Sequence, residues 1–219
     1  MISICLICHG VASPLVWKKW TEVIEKKYKG KLVNVNMRDK SYKGYSTSYS
    51  KYTLRSVLPE DTRYVGMPTY LADPYIFLFT DDLYLRKSCN RCQYKADRNG
   101  ADIIVGDFFE FTESADDLGC SCIMAMTEKG TQFIKSLDGV IFESDYKTVG
   151  VVNPMLWTSV KEHPRRAEFF TVMKSGKLSG EKLFTSFLPM RFKIKKILNQ
   201  IGLFNIYLSI KRCYVRHQN

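Results

Sequence analysis

"ISICLICHGVASPLVWKKWTEVIEKKYKGKLVNVNMRDK" (Ile2–Lys40) decides how the chain is read. Ile2 to Ile7 is a short apolar run of strand length, closed by a turn at His9-Gly10. The middle is the clearest helix of the sequence: Ser13 suits its N-cap, Pro14 its first position and Gly30 its stop. Val16, Trp20, Val23 and Ile24 share one face of that helix, with Lys18, Lys19, Glu22 and Lys26 elsewhere. "KLVNVNMRDK" then sets Leu32 or Val33, Val35 and Met37 at strand spacing. Strand, helix and strand at these lengths read as a βαβ-like unit. The expectation is an α/β fold, mixed α+β in detail, in which one mixed sheet is flanked by helices.

The same mixture continues outward. "SYKGYSTSYSKYTLRSVL" (41–58) alternates aromatic and hydroxyl side chains like an antiparallel ribbon. "LADPYIFLFTDDLYL" (71–85) turns helical at Pro74, with Asp73 as cap. "ADIIVGDF" (101–108) and "CSCIMAMT" (120–127) are short buried strands, "EKGTQFIKSL" is a helix after the second, and a last helix is expected around 158–174. Neither a repeat nor a low-complexity tract is present. The chain of 219 residues divides into a domain over 1–185 and a basic amphipathic tail over 186–219. That tail, "MRFKIKKILNQIGLFNIYLSIKRCYVR", reads as a solvated helix packed on the domain or, more sharply, as a helix for a membrane surface or a partner.

Lys and Arg number 33 against 22 Asp and Glu, a formal charge of +11 that favours anionic partners without choosing among them. "MISICLICHG" lacks the basic start and long apolar run of a secretion signal, and no stretch approaches the roughly 18 apolar residues of a membrane span. A cytoplasmic, reducing location is expected, so the seven cysteines are thiols or metal ligands rather than a disulfide framework.

The chemistry concentrates in "LRKSCNRCQYK" (85–95). The Cys89/Cys92 spacing lets two thiolates meet one metal or cluster, or pair as a redox disulfide. The flanks read as loop, unlike a thioredoxin-type site. Arg86, Lys87, Arg91 and Lys95 would stabilise thiolates and offset the negative charge of a cluster. Cys5 and Cys8 form a second pair with the same spacing, but in a strand they would face opposite ways, which leaves Cys8 as the exposed candidate. Cys120 and Cys122 share one strand face and suit core packing.

The ordered series "ICHGVASPLVWKKW", "VNMRDK", "LYLRKSCNRCQYK", "ADIIVGDFFEF" and "DDLGCSCIMAMTEKG" resembles the C-terminal part of the coenzyme F-420 hydrogenase/dehydrogenase beta-subunit family, in particular its bacterial branch linked to polysaccharide biosynthesis. The motifs span about residues 5–135. The resemblance implies an iron-sulfur flavoprotein in which FAD exchanges electrons with a 4Fe-4S cluster, and a deazaflavin partner in the archaeal members. It implies that Cys8, Cys89 and Cys92 are cluster ligands. It also implies that Gly106 and Asp107 lie against the flavin or cluster, and that Arg38 and Lys40 line the same cleft and meet phosphate or an anionic substrate. A fourth ligand falls to Cys5, Cys120 or Cys122, or to a partner chain supplying the ferredoxin-like half that the motif series lacks.

Two other readings stand beside this one: an interaction module without turnover of its own that needs such a partner, and a small zinc-stabilised α/β domain. His9 suits a proton relay or a plain turn residue. The acid pairs Asp81-Asp82 and Asp116-Asp117 sit in turn contexts, and neither a Walker pattern nor G-x-G-x-x-G occurs. Tyr42, Tyr45, Tyr49 and Tyr52 with Lys43 and Lys51 raise nucleic-acid stacking, but a half-buried ribbon explains them without a nucleic-acid fold signature, and no nucleic-acid partner is expected.

Overall fold

The computed structural model describes residues 1–41, 49–56, 62–68, 73–108, 118–203 and 206. In chain order the elements are β1 (Ile4–Leu6), α1 (Pro14–Tyr28), β2 (Gly30–Asp39), β3 (Tyr49–Ser56), β4 (Thr62–Pro68), α2 (Pro74–Thr80), β5 (Ile103–Phe108), β6 (Cys120–Ala125), α3 (Glu128–Lys135), α4 (Tyr146–Val152), α5 (Arg166–Ser175), α6 (Glu181–Thr185) and α7 (Met190–Gln200). Short 3-10 turns at Lys87–Arg91, Ala96–Asn99 and Pro154–Leu156 connect them. The fold is α/β.

The strands divide into two sheets rather than one. β1 pairs parallel with β5, and β5 pairs antiparallel with β6, giving the mixed sheet β1-β5-β6. β2, β3 and β4 form a separate antiparallel sheet. The βαβ-like reading of Ile2–Lys40 is thereby corrected: both strands and the helix form, but β1 and β2 join different sheets. Strand spacing specifies that a segment extends, not which edge it pairs with. Contacts likewise cluster into two compact units, one chiefly from Met1–Ser13 and Leu85–Glu162, the other from the segments between them and from His163 onward.

In the first unit the pleat puts Ile104, Gly106, Cys122 and Met124 on one face. Ile104 and Cys122 pack there with Val149 of α4 and Leu156, and Cys5 and Ile7 close the cluster. Thr127 caps α3 by accepting from the N–H of Gly130.

In the second unit α1 buries the expected face, Val16, Trp20, Val23 and Ile24. Lys29, not Gly30, takes the left-handed conformation after the helix (φ 50°), and Gly30 already belongs to β2. β2 slips register between Leu32 and Asn34, so Val33 is an extra, half-exposed residue and Leu32, Val35 and Met37 turn to the same side. Asp73 caps α2 as expected, accepting from the N–H groups of Tyr75 and Ile76. Ring contacts from Trp20 to Phe184 (4.8 Å), Tyr84 to Phe169 (5.5 Å) and Phe77 to Phe192 (4.7 Å) tie the helices into an aromatic core. Of the ribbon tyrosines, Tyr52 is wholly buried and presents no ring for stacking, while Tyr42 and Tyr45 lie outside the described residues. The last expected helix begins later than its sequence suggests, at Arg166.

Candidate functional site: the cysteine end of the mixed sheet

The candidate site lies within the first unit, where β1 runs out. The Ile7 N–H extends the parallel ladder by donating to the Val105 carbonyl at 2.7 Å, and Cys8, His9 and Gly10 then leave the sheet. The carboxyl end of a parallel strand is a common place for ligand sites, because the chain diverges there and opens backbone groups. Ala12 bridges antiparallel to Leu85, and Arg86 donates its N–H to the Val11 carbonyl at 2.8 Å. Gly10 makes the approach feasible: a Cβ at that position would stand 2.8 Å from the Leu85 side chain.

These pairings deliver Cys89 beside the first motif. Cys89 sits in the turn Lys87–Arg91 with its N–H on the Arg86 carbonyl at 2.9 Å, and its sulfur accepts the Val11 N–H at 3.3 Å. An N–H directed at a cysteine sulfur is a means by which proteins tune clusters. Cys92 is held from another side: its N–H donates to the Ser159 hydroxyl at 3.0 Å, while the Asn90 amide donates to the Val160 carbonyl at 3.1 Å. Lys95 connects the parts. It is buried, and its ammonium donates to the carbonyls of Cys8 (3.0 Å) and Met155 (2.8 Å). Arg86, Lys87 and Arg91 are exposed, so Lys95 is the basic neighbour built into the site rather than around it.

Cys8 is exposed, and Cys5, Cys89 and Cys92 are half-buried. β1 ends at Leu6, so the strand alternation expected to turn Cys5 and Cys8 to opposite faces does not extend to Cys8. Burial pushes the Cys5 thiol up, and the charges of the neighbouring Cys92 and Cys8 sulfurs push it the same way, while its backbone partner at Leu6 and the Lys95 ammonium pull it back. The early end of the strand was the signal that sequence spacing did not carry.

Gly106 and Asp107 lie on β5, one strand in from β1. Gly106 does permit a close approach, but of Ile7: a Cβ would stand 2.7 Å from the Ile7 side chain. The Asp107 carbonyl accepts from the Asn153 amide. Cys122 is buried against the Gly106 carbonyl, with its thiol pushed up by burial, the core role expected of it. Arg38 and Lys40 belong to the second unit, at the end of β2, where Asp39 between them accepts from Ser41 and pairs with Lys51 at 3.7 Å.

The residues fit an iron-sulfur group in donor chemistry: soft sulfur ligands, an N–H on one sulfur and a buried cation at hand. Their spacing is open: among the described residues, no three His, Cys, Asp or Glu side chains are gathered as a metal would require.

The family profile for the C terminus of the coenzyme F420 hydrogenase/dehydrogenase beta subunit matches residues 1–147. The chain belongs to this family. Its members form a redox family generally associated with iron-sulfur groups. The match contains every element of the site up to β6 and α3 and stops before the Met155–Val160 segment that holds Cys92 and Lys95. No curated protein matches the chain. No described helix is long and apolar enough to cross a membrane.

Proposed function

We propose that the first unit is the redox domain of an iron-sulfur flavoprotein, with Cys8, Cys89 and Cys92 as ligands of a 4Fe-4S cluster and FAD bound nearby. Bound together, such groups let a two-electron hydride carrier exchange with a one-electron acceptor. The chain's own share is local. The turn at Cys8 and the loop at Cys89 are tied by the Val11 N–H, Lys95 fixes the Cys8 carbonyl, and Ser159 fixes the backbone of Cys92. The observation that carries the reading is the meeting of the two cysteine motifs through the Val11 N–H on the Cys89 sulfur and the Lys95 ammonium on the Cys8 carbonyl. Arg38 and Lys40 remain proposed contacts for phosphate or an anionic substrate, and Gly106 and Asp107 for the cofactor. A place in polysaccharide biosynthesis rests on motif resemblance alone.

The test is anaerobic reconstitution with iron and sulfide, followed by quantification of both and by visible absorbance. Iron and sulfide are expected to bind the native chain, with loss in Cys89→Ser and Cys92→Ser and retention in Cys120→Ser. Native protein without iron, or equal loading in all the variants, would sink the assignment. The open spacing of the thiols favours one second reading, an interaction module that gains its cofactor only with a partner carrying a ferredoxin-like half. Binding of FAD and reduction of a dye by the isolated chain would exclude it.

A further inference from the structure

The chain beyond α6 has a face that the redox reading leaves unused. From Ser186 to Asn219 the sequence contains Lys and Arg but neither Asp nor Glu. Within this stretch α7 is docked on the second unit by a narrow seam. Phe192, 2 % exposed, sets its ring edge-on to Phe77 at 4.7 Å. Arg191 pairs with Asp81 and lies over the Phe77 ring.

The other side of the helix is apolar and faces out. Met190, Ile194, Ile197 and Ile201 recur at steps of four, three and four, which places them on one stripe of a helix. They are 67 %, 50 %, 55 % and 59 % exposed. The N–H of Ile201 donates to the Ile197 carbonyl at 3.1 Å, so the helical path carries the stripe to its last member. Lys193 and Lys196 are exposed beside it. A continuous exposed apolar stripe on a helix held from behind is a surface in need of an occupant.

Charge selects the occupant. A second copy of this chain would bring a net +11 against another +11, with no carboxylate in either tail to offset it. An anionic lipid surface accepts both parts at once, the stripe entering the headgroup boundary and the cations meeting phosphate. The helix is too short to span a bilayer, and an interfacial helix needs no such length. We propose that α7 is an interfacial helix by which the chain docks on anionic membranes.

The test is co-sedimentation of the full chain with vesicles of phosphatidylcholine alone and of phosphatidylcholine with phosphatidylglycerol. Binding is expected to the anionic vesicles only and to weaken with added salt. Ile194→Glu with Ile197→Glu is expected to lower partitioning about ten-fold or more, and Lys193→Gln with Lys196→Gln about five-fold per charge removed. Phe192 stays intact in both variants, and an unchanged urea midpoint confirms that the fold survives. Failure to bind either vesicle, equal binding by native chain and variants, or a dimer that the isoleucine substitutions dissociate would each overturn the proposal.

Discussion

The buried hydroxyl of Tyr52 accepts from the Trp20 indole N–H at 2.8 Å and donates to Asp73 at 2.7 Å, and Asp73 also takes the N–H groups of Tyr75 (2.9 Å) and Ile76 (3.3 Å). The polar side chains of the cysteine end are placed otherwise: Cys8 is exposed, Cys89 and Cys92 are half-buried, and the best-placed of the three sulfurs accepts one backbone N–H. The first arrangement, in the second unit, commits a chain of buried hydrogen bonds to fixing a core. The second, in the first unit, fixes the backbone around its thiols and leaves the sulfurs with capacity to spare. Saturated buried networks rigidify, whereas groups positioned but unsaturated are what a ligand can use.

The contrast can be broken most forcefully from the saturated side. Asp73→Ala removes a helix cap and strands the Tyr52 hydroxyl in a buried site. The expected cost is about 3 kcal/mol in urea unfolding, from about 1 for the cap and about 2 for the orphaned donor. Tyr52→Phe cuts the same chain at its middle and should cost about 1–2 kcal/mol. Losses well below these in both variants would mean that the network is not the tie described.

Lys95→Met sharpens the comparison from the other side. It removes the two hydrogen bonds to the Cys8 and Met155 carbonyls, for an expected loss of about 1–2 kcal/mol. The larger effects are local: faster hydrogen exchange at residues 8–11 and lower iron uptake on reconstitution. Iron uptake equal to that of the native chain would separate Lys95 from the thiol site.

The smallest effect concerns acid. Asp102 accepts from the Ser3 N–H (2.9 Å), the Ser3 hydroxyl (2.8 Å) and the Thr127 hydroxyl (2.9 Å), which hold its carboxyl down at about 2. A carboxylate depressed in the folded state stabilises above its unfolded value of about 4 and loses that contribution as pH falls from there toward its folded value. Asp102→Asn should therefore lower stability at neutral pH, where the native carboxylate contributes, and converge on the native chain in acid, which flattens the acid limb between these values. A limb of unaltered slope would place the acid sensitivity elsewhere.

Much of this was legible along the chain. Asp73 before Pro74 announced α2 and its cap, and the apolar face of α1 announced what it buries, because caps and periodicity act within a turn or two. The Cys89/Cys92 pair stood out for the same reason. How Cys5 faces relative to Cys8 was not legible, because it depends on where β1 stops, and that depends on pairing with β5, about a hundred residues away. Lys95 appeared as one of four basic neighbours, and only the path of the Met155 turn selects it for burial. Val33 could not be told from Leu32 as the inward residue, since the bulge that decides it lies in the register with β3.

The amino-acid order by itself determined α1, α2 and α3, the strands β1, β2, β3, β5 and β6, the charge of the tail and the ordered motifs of the family, all of which follow from interactions between residues a few positions apart. Tertiary structure alone decided that β1 and β2 part company into separate sheets, that β1 stops short of Cys8, and that the stripe of α7 faces outward. Those outcomes are set by which distant surfaces bury one another. An extended strand offers hydrogen bonds to any compatible edge, and a helix face is inward or outward only once something packs against it.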